Sequence, residues 1–354
     1  MHTPFYDPEK SYEENFKQGP FGAFSDGKIF ENPDREKYEF LGQHLNSVFG
    51  IPAGPLINGN FVKAALKKGF DICTYKTVRS IERSSHPKPN VVSVDLSGDL
   101  NFDRGKQGVK VKQGYREPLS ITNSFGVPSS DPDFWQEDMK SAVNFAHSGQ
   151  VVVGSFQGTS RGEGISAYIE DFATTARLVK ETGVKILEVN LSCPNEGAAR
   201  LLCFDISTTT KVVEAIKNEI GNTPLIIKLA YFGEQDQLAK MVKAVGSAVQ
   251  GIQVINTIPA KILNENGKPF FKEKDRAVSG VCGSAIKWAG LDMTDRLKNL
   301  REYLGMSYVI MGVGGVASPL DYKEYTDAGA DAVMSATGSM WNPFLAREIK
   351  KLLK

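Results

Sequence analysis

Histidine and cysteine are scarce in this chain, four of each among 354 residues. The histidines (His2, His44, His86, His147) stand away from the ends of the apolar runs, and the cysteines (Cys73, Cys193, Cys203, Cys282) are far apart without C-x-x-C spacing. These two shortages exclude a zinc site of ordinary spacing and a disulfide framework. Charge of one sign is missing too. Forty-two Lys and Arg face 41 Asp and Glu, for a net charge of +1, whereas nucleic acids and anionic membranes demand clustered cations. No apolar run approaches the roughly 18 residues that span a bilayer, and Met1 to Gln18 mixes charges and proline without the apolar core of a signal peptide. A cytoplasmic protein acting on a small molecule, with no nucleic-acid, membrane or metal partner, is the expectation.

What is present is alternation. With 41% hydrophobic residues the chain can bury a full core. Short β-rich runs recur at Gly50 to Gly54, Ile72 to Thr77, Val151 to Phe156, Ile186 to Leu191, Leu225 to Ala230, Ile252 to Thr257, Tyr308 to Gly312 and Ala332 to Ala336, with amphipathic helical patterns between them. The helices carry their own stops and starts: Asp131-Pro132, Ser318-Pro319 and Asn342-Pro343 open them, while Gly183 and Gly329 close them. Eight parallel strands alternating with helices predict an α/β fold, a (β/α)8 TIM barrel, which leaves no exposed edge. Residues 1–40 read as an irregular N-terminal extension and 41–354 as one barrel domain, with an insertion at about 80–130 after the second strand.

In such a barrel the residues just past each strand form the active site. Collected, they are Ala53-Gly54, Lys76-Thr77, Asn190 to Asn195, Lys228, Asn256-Thr257, Gly312 to Gly315 and Ala336-Thr337. Neither histidine nor carboxylate is among them, so metal ligation and paired-carboxylate hydrolysis have no visible groups. Carboxamides both donate and accept, so Asn123, Asn190, Asn195 and Asn256 suit a heterocycle whose edge alternates C=O and N–H; Asn also simply ends strands and caps turns. Gly312-Val-Gly-Gly-Val-Ala317 satisfies a dinucleotide fingerprint, but too little chain follows for a Rossmann half. A glycine turn after the seventh strand, with Ala336-Thr337 after the eighth, better matches a barrel phosphate site; a tight turn with no ligand is the alternative. Lys76 and Lys228 end apolar strands, where an ammonium needs an anion. Phosphate turn, lysines and amides together suggest flavin mononucleotide (FMN) with a planar substrate stacked on it. Cys193, in Asn190-Leu-Ser-Cys-Pro-Asn195, is then the one obvious proton-transfer group, although a lone cysteine at such a junction is often inert.

These residues resemble a known family. Asn190-Leu-Ser-Cys-Pro-Asn195, with Lys76-Thr77, Asn123-Ser-Phe-Gly126, Lys228, Asn256-Thr257, Ser279-Gly-Val-Cys-Gly283 and Gly312-Val-Gly-Gly315, looks like the dihydroorotate dehydrogenases, in order over most of the chain. The resemblance implies a flavin-bearing barrel that oxidises dihydroorotate to orotate in pyrimidine synthesis. It implies Cys193 as the base that takes the C5 proton while the C6 hydride passes to flavin N5. Lys76 would reach both flavin and substrate carboxylate, Lys228 would stand near flavin N1 and O2, and Asn123, Asn190, Asn195, Asn256 and Thr257 would grip the pyrimidine. The backbone of Phe125, Gly126 and Val127 would meet the carboxylate, with Ser124 also at the substrate, and Ala53, Gly54, Thr77, Asn123, Asn190, Gly283, Gly314, Gly315, Ala336 and Thr337 would complete the flavin site. Cysteine in the hexad is similar to the soluble class; the membrane-associated class has serine there. A homodimer, and a possible electron-transfer partner subunit, are implied in the same way.

The chain departs from that pattern in two places. Ala336 replaces a usual glycine, and the loop after Asn195 runs Glu-Gly-Ala-Ala-Arg. Thr257 and Leu202-Cys203 look more like the pyrimidine-reducing domain of dihydropyrimidine dehydrogenase, so a dihydrouracil-type flavoenzyme is the nearest alternative. A non-catalytic flavin or phosphate-binding barrel and a tRNA-modifying flavin barrel stand further off, the last disfavoured by the charge balance.

Overall fold

The eight apolar runs become eight strands: β1 (Phe49–Ile51), β2 (Ile72–Val78), β3 (Val151–Phe156), β4 (Ile186–Asn190), β5 (Leu225–Leu229), β6 (Gly251–Val254), β7 (Val309–Val313) and β8 (Ala332–Met334). In the computed structural model, which describes residues 1–30, 37–192 and 201–353, each pairs in parallel with its neighbours in sequence. β8 returns to β1 through Val333 opposite Phe49, closing the ring. All strand residues except Val309 are buried, which explains why the runs are continuously apolar instead of alternating. One face of each strand looks out to the helices. The other looks into the barrel, where Ile72, Val151, Val153, Ile186, Ile226, Met311 and Met334 form a cluster of their own.

That inner cluster is plugged from below. A hairpin, Tyr38–Phe40 with Gln43–Leu45, sends Phe40 and Leu45 into it, so residue 40 lies inside a packed hairpin. The N-terminal extension also has more order than its composition suggested. Ser11 and Glu14 make a capping box on the helix Tyr12–Gln18, and Phe5, Tyr6, Tyr12 and Phe24 join the main core. Aromatic burial anchors a segment whose periodicity is too short to read.

The mouth is covered by a second sheet, in the order Val91–Ser93, Ser120–Asn123, Val278–Gly283, Ile258–Leu263, Val109–Lys110. Three of its strands come from the expected insertion after β2. The other two come from a second insertion after β6, which the sequence reading did not separate, because both strands complete their pairing only with residues well over a hundred positions away, such as Gly280 with Asn123. Among the described residues no helix is long and apolar enough to cross a membrane.

Candidate active site

Between the barrel mouth and this sheet lies a cavity of about 1250 Å³, its open entrance included. Three features of the backbone aim side chains into it. The pairing of β2 with β3 slips between Tyr75 and Val78, and such an irregularity re-aims side chains; Lys76 and Thr77 both line the cavity. Alternation places Glu188 and Asn190 on the inner face of β4 and Lys228 on that of β5. The turn after Ser120–Asn123 holds Gly126 at φ +76° and Val127 at φ +50°, a conformation that costs a non-glycine residue about 1–3 kcal/mol and is concentrated at functional sites.

The polar groups are tied together. Asn190 Nδ2 donates to Gln157 Oε1 at 3.0 Å, the Ser192 hydroxyl donates to Asn190 Oδ1 at 3.0 Å, and Asn256 Nδ2 donates to Ser192 Oγ at 3.0 Å. This chain orients two of the expected amides. On the sheet side, Asn123 Nδ2 and Thr337 Oγ1 both reach the Cys282 sulfur, at 3.5 and 3.4 Å. Arg276, 2% exposed, donates from Nε to Ser124 Oγ at 3.0 Å and from its other nitrogens to the carbonyls of Pro87 and Pro89. It pins three covering segments at once. Lys76 Nζ lies 5.6 Å from the centre of the Phe125 ring.

Lys228 is buried, and among the described residues its one hydrogen bond goes to the Ala53 carbonyl at 3.1 Å. Two of its three donors remain for a ligand. Burial lowers the lysine's pKa while the Glu188 carboxylate opposes that. The described thiols are all held protonated. Burial pushes Cys73 well up, Cys203 to about 12, and Cys282 upward despite its hydrogen bonds.

Of the expected residues, Ala53, Gly54, Lys76, Thr77, Asn123, Ser124, Phe125, Gly126, Val127, Asn190, Lys228, Asn256, Thr257, Ala336 and Thr337 line this one cavity. Cys193 and Asn195 lie outside the described residues. Gly283, Gly314 and Gly315 are not in the wall. They pack behind it: a Cβ on Gly283 would sit 2.3 Å from the Leu119 carbonyl, and one on Gly315 would sit 2.6 Å from Lys287 Cβ. At Gly283 and Gly315 the neighbouring chain leaves no room for a side chain. The turns after β7 and β8 do meet, through Ser335 Oγ donating to the Val316 carbonyl at 2.6 Å.

The donor set fits a flavin. A cavity with apolar walls from Ile121, Ile255, Val313 and Met340 can take a flat tricyclic ring, and buried Lys228 has two donors left for a ring edge that accepts hydrogen bonds. Of the residues in this wall, Ala53, Gly54, Lys76, Thr77, Lys228, Ala336 and Thr337 would hold it.

Comparison with known proteins agrees with this geometry. The dihydroorotate dehydrogenase family profile matches residues 36–354. The chain belongs to the dihydroorotate dehydrogenase family. It is 36% identical to a dihydroorotate dehydrogenase of Dictyostelium discoideum, over 98% of this chain and 96% of that protein. It is 28% identical to a dihydroorotate dehydrogenase B (NAD(+)) catalytic subunit of Endomicrobium trichonymphae, over 76% of this chain and 74% of that one. A crystal structure of DHODH from Eimeria tenella in complex with ferulenol superposes with a TM-score of 0.71 at 18% identity, covering 92% of this chain and 85% of that chain, a likeness of fold. Dihydroorotate dehydrogenases are flavin-dependent oxidoreductases, which suits the cavity.

Several residues of this dihydroorotate dehydrogenase site escaped the sequence reading. Tyr6 reaches the cavity wall from the N-terminal segment, and nothing local marks it. Cys282 also lines the cavity, whereas among the four thiols only Cys193 carries an expected role. Glu188 carried a visible signal: it is the one acidic residue in the run Ile186 to Val189, and a charge inside a buried strand calls for a partner.

Proposed function

We propose that this enzyme oxidises dihydroorotate to orotate in pyrimidine biosynthesis, with FMN as its flavin and Cys193 as its base. The observation that carries this reading is the covering turn Asn123 to Val127, which lines the same cavity as the strand-end residues Lys76, Asn190, Lys228 and Asn256. A cation and a left-handed turn beside a set of amides suit a ring that carries both imide edges and a carboxylate. Bound in this cavity, FMN would supply the acceptor for a hydride.

The remaining tasks fall to the chain. Asn190 and Asn256, fixed through Ser192, hold the ring edge-on. Lys76 and the turn at Phe125 to Val127 meet the carboxylate. Cys193 accepts the C5 proton, and Asn195 completes the grip on the ring. Lys228 places positive charge where electron density accumulates, an electrostatic contribution that needs no reorganisation. The covering sheet keeps water from the reacting carbons. In the same reading the enzyme is a cytoplasmic homodimer, with a partner subunit, fumarate or a quinone taking the electrons onward.

An absorption spectrum of the purified protein, followed by anaerobic addition of dihydroorotate, tests this reading. Flavin bands that bleach with dihydroorotate and persist with dihydrouracil are expected. Bleaching by dihydrouracil alone would transfer the assignment to the alternative that Thr257 keeps in view, and a colourless protein would remove both.

A further inference from the structure

Beneath Lys228 the barrel holds a carboxylate that the proposed reaction does not use. Glu188 is 0% exposed, and its two oxygens accept from Ser155 Oγ at 3.0 Å and Gln253 Nε2 at 2.6 Å. Both partners donate, which is the arrangement an ionised carboxylate needs. The strand register ties this group to the lysine. Lys228 pairs with Asn190 on β4 and with Gln253 on β6, while Glu188 pairs with Ile226, one inward step below Lys228. Gln253 thus stands level with the lysine and bonds the carboxylate. Ser155 also shares a 3.0 Å hydrogen bond with Thr77 in the cavity wall, so the network runs from Glu188 to the ligand space.

Each charge by itself is strongly disfavoured so far from water, and each favours the ionised form of the other. The ammonium itself bonds the Ala53 carbonyl, so the carboxylate acts on it across one step of the ladder, through its charge. We propose that Glu188 is a positioning residue that holds Lys228 charged beside the cavity, and thereby sets the electron affinity of the flavin bound against it. The proposal rests on the flavin reading given above. Glu188 touches neither flavin nor substrate; it acts through the lysine.

The test is a cycle of holoenzymes: wild type, Glu188→Gln, Glu188→Asp, Lys228→Met and the double variant Glu188→Gln/Lys228→Met. Flavin per chain is read from absorbance, and the two-electron midpoint potential from anaerobic dye-linked reduction. Glu188→Gln should retain flavin and be reduced at least tenfold less favourably, a fall of about 30 mV or more. Glu188→Asp, which keeps the charge, should stay within threefold of wild type. Added to Lys228→Met, the Gln substitution should change the reduction constant less than threefold. A flavin-loaded Glu188→Gln with wild-type potential overturns the proposal. If that variant loses flavin or fails to fold, apoprotein melting temperatures decide the coupling. Lys228→Met strands a buried carboxylate, so the double variant should melt higher than Lys228→Met, and a double variant melting no higher overturns it. A wild-type protein that binds no flavin counts against the flavin reading itself, and the melting cycle then judges the charge pair alone.

Discussion

The two ends of the barrel share one inward face and put it to opposite uses. On β4 that face runs Ile186, Glu188, Asn190, and on β3 it runs Val151, Val153, Ser155. The lower half is aliphatic and sealed by Phe40 and Leu45 of the hairpin. The upper half is amide, hydroxyl and ammonium, opening on a cavity roofed by the second sheet. Lower residues gain stability by leaving water, whereas upper residues are desolvated at a cost that hydrogen bonds and a ligand offset. Stability and chemistry are therefore separable along a single strand, as expected when active sites sit at the carboxyl ends of barrel strands. Substitutions at the two ends should give opposite signatures.

The sharpest contrast is Cys193→Ala at the mouth. Turnover should fall by about 10²–10⁴ or more, the usual contribution of general-base catalysis, with flavin absorbance and melting temperature unchanged. Wild-type turnover in this variant would remove the proposed base. At the other end, Phe40→Ala should lower unfolding free energy by about 3–5 kcal/mol in urea titrations and leave kcat per folded molecule within twofold. A large kcat loss there would break the separation.

A matched pair of glycines sharpens it further. Gly126 at the mouth and Gly42 in the hairpin have nearly the same φ, +76° and +78°, but a Cβ on Gly126 would sit 2.6 Å from His86 Nε2 while one on Gly42 meets nothing within 4 Å. Alanine at either should cost about 1–2 kcal/mol of backbone strain. Only Gly126→Ala should also raise KM for dihydroorotate, by about tenfold. Equal KM values would mean that the turn does not meet the substrate.

The smallest effect concerns His86, whose Nδ1 lies 3.4 Å from Ser124 Oγ and whose Nε2 lies 3.5 Å from Asp275. Burial lowers its pKa, more than the Asp275 carboxylate raises it. A histidine with a depressed folded pKa binds more protons when unfolded, so its contribution is present above the unfolded value, about 6.5, and is lost as pH falls toward the folded one. His86→Gln should flatten the stability profile on that acid side. An unaltered profile would show that His86 does not titrate with unfolding.

How much of this could be read from the chain depended on range. The eight barrel strands were legible because burial on both faces leaves unbroken apolar runs, and Asp131-Pro132 and Ser318-Pro319 start helices where local capping dictates. Most rim residues followed, since the barrel rule converts strand ends into one surface. At Gly315 only the fold reveals a packing demand, since an added Cβ would sit 2.6 Å from Lys287 Cβ, and a glycine kept for ligand approach looks the same in sequence. The second covering insertion and the place of Tyr6 were hidden, since each is stabilised by partners far along the chain, whereas the helix at Tyr12–Gln18 carries a local signal in Ser11 and Glu14 but is too short for a clear apolar period.

The strands and helices of the eight barrel units were settled by the sequence alone, through the alternation of apolar runs and the glycine, proline and capping residues that bound them. The chain also displayed its chemical inventory, a thiol among amides and two lysines at strand ends. Only the closed barrel decided that Lys228 stands above Glu188, that Cys282 meets Asn123, and that Arg276 clamps the roof. Such contacts arise when ring closure brings together residues separated by tens to hundreds of positions, and their energies belong to burial and pairing that no local stretch possesses.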